Sequence, residues 1–189
     1  MPSGRTHDKI TLWCLPAVVG LTAWAMRSPT IVLTVSVAYL VGGFMLGPDL
    51  DIVSIQYKRW GPLRWIWLPY QTALPHRSRF SHGPIIGTAL RVVYLAIWTA
   101  LFTMVAVTIL NAVWDAQLTW QSLGRTLHYL AGRYFAEWVA ILVGLEVGAM
   151  SHSISDVTGS YLVRKRSGRI KASKKKRVKR KKENRRKGR

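Results

Sequence analysis

A single cysteine, Cys14, occurs in the 189 residues. One thiol cannot close a disulfide within the chain, and a cysteine-rich metal site is excluded with it. Set in an apolar run, Cys14 reads as small apolar filler. Acids are scarce as well: eight Asp and Glu stand against 28 Lys and Arg, for a formal net charge of +20. Histidines number five. No internal repeat is visible, and no glycine-rich loop offers a cradle for nucleotide phosphates. Any metal held here must therefore draw on a few imidazoles and carboxylates.

What is present divides into two parts. From Arg164 to Arg189 there are 17 Lys and Arg against one acid, Glu183, a local charge of +16; the rest of the chain carries +4. That remainder is greasy, with nine tryptophans and four long apolar runs at about 10–26, 30–47, 84–110 and 134–150. A membrane-spanning helix needs ~20 largely apolar residues, with ~17 as a lower limit. Each run is apolar all round, which suits lipid or a fully buried core better than a soluble surface. Trp24, Trp98, Trp114, Trp120 and Trp138 lie in or near the run ends, where indoles favour a membrane interface. The expected fold class is all-α: a multi-pass membrane helical bundle of about four spans over residues 1–163, followed by a disordered basic tail over 164–189. A soluble domain with four such helices would have too few charges to cover them. The first run, after Arg5 and Lys9 and ending in Ala23-Trp24-Ala25, also has the look of a signal peptide, whose removal would take His7 with it.

Lys and Arg set the topology. Four spans place residues 1–9, the connection 48–83 and the tail on one side, and short turns near 27–29 and 111–133 on the other. The first side holds most of the cations, so it is expected to be cytoplasmic, with both termini inside. The segment YKRWGPLRWIWLPY (57–70), mixing cations with Trp and Tyr, reads as an interfacial piece or as a loop packed on the helix ends.

This topology gathers His7, Asp8, Asp49, Asp51, His76, His82, His152 and Asp156 on the cytoplasmic side, leaving His128 and Asp115 opposite. The spacings bear on chemistry. His152 and Asp156 in SHSISD are i and i+4, on one helical face, where both can bind one metal or the Asp can orient the His. Asp49 and Asp51 in GPDLD cannot share a helical face but in a turning segment can reach one cation or bridge two. His76 and His82 in PHRSRFSHGP lie between two prolines that can fold them together. Alone, each piece has a plainer reading as a cap, turn or surface hydrogen bond; together they suggest a site for zinc or a similar divalent ion, one or two in number.

The pieces SGRTHD, GPDLD, YKRWG, LRWIWLPY, HRSRFSHGPIIG and SHSISD resemble a bacterial family of uncharacterised membrane proteins described as metal-binding, over residues 1 to about 160. The same order of motifs is similar to predicted membrane-bound metal-dependent hydrolases and, more distantly, to zinc-dependent phospholipase C and the nucleases that share its fold. The resemblance implies His7, Asp49, Asp51, His76, His82, His152 and Asp156 as the metal-site positions.

Two functions follow as expectations. In the first, a metal-dependent hydrolase cleaves a phosphoester, with a lipid as the natural substrate at headgroup level. Asp51 or Asp156 would take a proton from water, and Arg77 and Arg79 would hold a phosphate or serve as topology anchors. In the second, a metal-stabilised scaffold uses its tail to recruit anionic lipid, nucleic acid without sequence selectivity, or a protein. Glu146, inside the fourth run, is an ionisable group in a costly place; it could reach the metal or hydrogen-bond to another helix.

Overall fold

A computed structural model describes residues 4–75 and 78–187; at 4, 5, 79, 160, 162–164 and 166–187 only the backbone is described. The chain runs α1 (Gly4–Met26), α2 (Pro29–Phe44), a 3-10 turn (Pro48–Asp51), α3 (Ile55–Arg59), a 3-10 segment (Gly61–Trp67), α4 (Leu68–Ala73), α5 (Arg79–His82), α6 (Ile86–Trp114), α7 (Trp120–Arg133) and α8 (Phe135–Lys187), with no strand among the described residues. Four stretches are long and apolar enough to cross a membrane: Thr6–Met26, Pro29–Asp51, Ile86–Trp114 and Phe135–Gly159. They coincide with the four apolar runs, and the all-α class holds.

Local chemistry sets the boundaries. Arg27 takes a left-handed conformation (φ 49°), and Ser28 then caps α2, accepting from Ile31 N–H, with Pro29 in the first turn, where a missing N–H costs nothing. Asp115, also left-handed, ends α6. The connection 111–133 is not the short turn expected. It contains α7, opened by a reciprocal Thr119–Ser122 capping box. Trp120, Leu123, Leu127 and Leu130 share one face of this helix, yet none of its residues is buried. Its apolar stripe is too short and interrupted to register as a span.

α8 also differs from expectation. It continues through the basic segment to Lys187, where the sequence suggests no regular structure. Lys and Arg are individually good helix formers, whereas repulsion between like charges one turn apart works against the helix.

The packing that positions the site is α2 against α8. Here glycines replace side chains. A Cβ on Gly42 would lie 2.9 Å from Leu145 Cα, one on Gly144 2.5 Å from Val35 O, and one on Gly148 2.7 Å from Gly43 N. Backbones this close exchange side-chain volume for backbone contact, the device by which small residues four apart join apolar helices. α1 is tied to the pair by Tyr39 Oη, which donates to Thr11 O at 3.0 Å.

Residues 52–74 pack as a second layer rather than lying free. Trp67, Tyr70 and Ile66 are buried. Trp67 and Tyr70 meet Tyr94 of α6 at ring-centroid distances of 5.4 and 5.3 Å, and Tyr94 Oη donates to Ile66 O. This is the packed reading of 57–70, with which an interfacial position is compatible. Within this layer Gln71 Nε2 donates to Leu50 O and Ile52 O, both at 3.0 Å. Those bonds fix the turn that carries Asp49 and Asp51.

Candidate metal centre

The start of α1, a stretch inside α8, the Pro48–Asp51 turn and α5 converge on one point. Each brings at least one imidazole or carboxylate. His7, in the first turns of α1, and His152, on α8, stack ring on ring at 3.9 Å; both are buried, at 5% and 3% exposure. One turn beyond His152, on the same face, Asp156 sets Oδ1 at 3.2 Å from His7 Nε2. Asp49 approaches from the turn, with Oδ2 3.1 Å from His152 Nε2 and Oδ1 3.6 Å from His82 Nε2.

These contacts form two overlapping triads. The ligand atoms of His7, His152 and Asp156 lie within 4.8 Å of one another, and so do those of Asp49, His82 and Asp156. Zinc bonds of ~2.0–2.2 Å to nitrogen and oxygen put two ligands on one ion no more than about 4.4 Å apart, so each triad needs only a small contraction to hold an ion. Asp156 belongs to both.

Proton counting supports a cation here. Ser155 Oγ donates its single hydrogen to His152 O at 2.7 Å. At its 2.6 Å contact with His7 Nδ1 it must therefore accept, which leaves the lone pair of His7 on Nε2, facing the Asp156 carboxylate. That contact is satisfied either by a proton on Nε2 or by a metal cation between the two groups. His152 Nε2 makes the same point: it is buried and has no aligned hydrogen-bond partner despite lying close to Asp49. A divalent ion satisfies both, with Ser155 holding the outer nitrogen of His7 as outer-sphere partners hold metal-bound imidazoles. The donor set, imidazole and carboxylate without thiolate, suits zinc and its neighbours.

The other expected residues fall in different places. Asp51, whose side chain has 0% exposure, lies 3.7 Å from His82 Nδ1, the nitrogen turned away from Asp49, while the hydrogen-bond partner of that nitrogen is Ser81 Oγ at 2.9 Å; Asp51 is outside both triads. In a 3-10 turn residues two apart point in different directions, which separates Asp49 from Asp51. His76 and Arg77 lie outside the described residues, and only the backbone of Arg79 is described, within α5. Asp8 pairs with Arg59 through two contacts of 3.0 and 2.6 Å. The pair is partly exposed, so Asp8→Asn is expected to cost under ~1 kcal/mol and to leave the metal content unchanged, measured by thermal unfolding and metal analysis of one preparation. Cys14 is exposed and lines a groove between α1 and α8 rather than filling a core.

Ser155 and Gln56 were not singled out by the sequence. Ser155 was detectable in principle, three residues beyond His152 in SHSISD. Gln56, whose Nε2 donates to Gly43 O at 2.9 Å and lies 3.4 Å from His152 Nδ1, carries no such signal.

The fold and the site together define a helical protein with four span-length helices and a histidine–aspartate cluster suited to a divalent metal. The chain belongs to the family of uncharacterized metal-binding proteins DUF2227, whose sequence profile matches residues 2–166. It is also similar to an uncharacterized protein of Aquifex aeolicus (strain VF5), at 38% identity over 60 residues; the match covers 31% of this chain and 42% of that relative, less than half its length. No solved structure matches the chain.

Proposed function

We propose that the chain is a metal-dependent hydrolase of phosphoesters, embedded in the bacterial inner membrane by its four apolar helices, with both termini and the His/Asp cluster at the cytoplasmic surface. The observation that carries this reading is the pair of triads sharing Asp156. Divalent ions held in such a pair supply Lewis acidity to a phosphoryl oxygen and an acidified water. His7, His152 and Asp156 would hold one position, and Asp49, His82 and Asp156 the other.

The remaining roles fall to the chain's own groups. Asp49, with a side chain 20% exposed, is the carboxylate that solvent reaches, and it is better placed than the sealed Asp51 to take a proton from water. Arg77 and Arg79 remain the proposed phosphate-binding cations. A lipid substrate is supported by the apolar groove of about 680 Å³ between α1 and α8. Ser155, which lines that groove, also contacts His7. The basic segment after 163 would attract anionic headgroups at ~1 kcal/mol per cation near the surface; binding of the full chain to anionic vesicles is expected to weaken steeply as salt rises from low to physiological ionic strength.

A second reading has its own support. The ligands come from four separate segments, so the metal would also tie α1, the Pro48–Asp51 turn, α5 and α8 together. In that reading the metal is a staple and the tail recruits the partner. The test is turnover by the full chain, purified in mild detergent without chelator, on phosphodiester and phospholipid substrates. Hydrolysis lost in His82→Ala and kept when 164–189 is removed supports the enzyme. Bound metal without turnover on either substrate class supports the staple.

A further inference from the structure

Arg91 and Glu146 lie inside span-length helices, α6 and α8, and neither belongs to the metal triads. Arg91 is 2% exposed. Its two terminal nitrogens are engaged: Nη1 donates to Ser81 O at 2.8 Å and Nη2 to Thr88 Oγ1 at 3.0 Å. Glu146 Oε1 accepts from Ile85 N–H at 2.9 Å. The two side chains thus grip the backbone at both ends of the five-residue piece Ser81–Ile85, and His82 sits between the grips.

The grip acts on backbone that would not otherwise rest there. Ile85 has φ 64° and ψ −57°, a region costly for a β-branched residue and persistent only where its surroundings impose it. Gly87 lets the piece lie close against α6: a Cβ there would be 2.8 Å from Ser81 O. Between the grips is a cavity of about 30 Å³, lined by Ser81, His82, Thr88, Arg91, Glu146 and Ser153 among others. Arg91 Nε and Glu146 Oε2 are buried there without hydrogen-bond partners. The cavity is large enough for one water, and those two atoms give it the polar partners it needs.

We infer that Arg91 and Glu146 are positioning residues: they clamp the Ser81–Ile85 backbone, with one water between them, and so hold His82 in the Asp49–His82–Asp156 triad while leaving the other triad untouched. This accounts for two ionisable groups in otherwise apolar helices, where charge is retained for function. As far as it concerns the metal, it rests on the proposed site.

Two readouts on the full chain in detergent test it. The first is amide hydrogen exchange across 81–87. Glu146→Leu removes the acceptor for Ile85 N–H and is expected to speed exchange there by ~10-fold or more; Glu146→Gln keeps an acceptor oxygen and is expected to restore protection. Arg91→Lys, which lacks the fork, is expected to loosen the Ser81 end. The second is titration with zinc alone. Glu146→Leu is expected to weaken one binding event by ~10–100-fold, the usual cost of losing an outer-sphere partner, and to leave the other unchanged, with Glu146→Gln close to the parent. Unchanged exchange across 81–87 in Glu146→Leu would overturn the inference. So would equal weakening of both zinc events alongside a lowered melting temperature, the mark of general destabilisation. If the parent binds no zinc, the metal reading falls, and exchange alone decides whether the clamp exists.

Discussion

Asp156→Ala is expected to remove metal from both positions at once, whereas His82→Ala and His7→Ala each remove it from one. The asymmetry follows from geometry. Asp156 contributes to both triads; His82 and His7 contribute to one each. Each substitution removes a direct ligand, so the loss at the affected position should exceed the ~10–100-fold typical of outer-sphere partners. Asp156→Ala also leaves His7 Nε2 and its buried ring without a partner 3.2 Å away, so the fold should loosen where α1 meets α8. The check is zinc titration of the three variants beside the parent, with helical content followed by circular dichroism. If the three variants behave alike, the triads do not share Asp156.

The second large effect lies away from the ligands. Gly148→Val is expected to destabilise the protein by about 3 kcal/mol, the upper part of the usual range for overpacking, and to abolish metal binding with it. A Cβ at 148 would run into Tyr39 O and lie 2.7 Å from Gly43 N. Both are backbone atoms that cannot swing aside, so α2 and α8 must part. His152 and Asp156 sit one and two turns beyond Gly148 on α8, and Asp49 follows α2, so any separation opens the contact between His152 and Asp49. Gly20→Ala is the control. Gly20 has open space around its Cα, and alanine there should stabilise α1 by ~0.5–1 kcal/mol without touching the metal. Thermal unfolding and metal content of the two variants, measured together, separate the effects.

Much of this was legible before any coordinates. The four helices announced themselves by length and apolarity, since nothing else in a chain of this size accounts for such runs. His152 and Asp156 were readable because helical spacing alone puts them on one face. His7 and Asp49 were readable only as types at helix ends; that they meet His152 depends on Gly42, Gly144 and Gly148 bringing α2 against α8 and on Gly43 making room for Thr11 of α1. Asp51 falls outside both triads because its direction depends on the 3-10 geometry of Pro48–Asp51, which the composition of GPDLD does not reveal. α7 was missed because its apolar residues cover one face only, and a search for continuous runs passes over them. The roles of Gln56, Arg91 and Glu146 depend on contacts between residues tens of positions apart.

The most direct test of the account is metal analysis of the full chain, purified in mild detergent without chelator and then dialysed against a low concentration of zinc. The account predicts one divalent ion for each of the two triads, lost together in Asp156→Ala. A parent chain that retains no divalent metal under these conditions, while keeping its helical content, would contradict it.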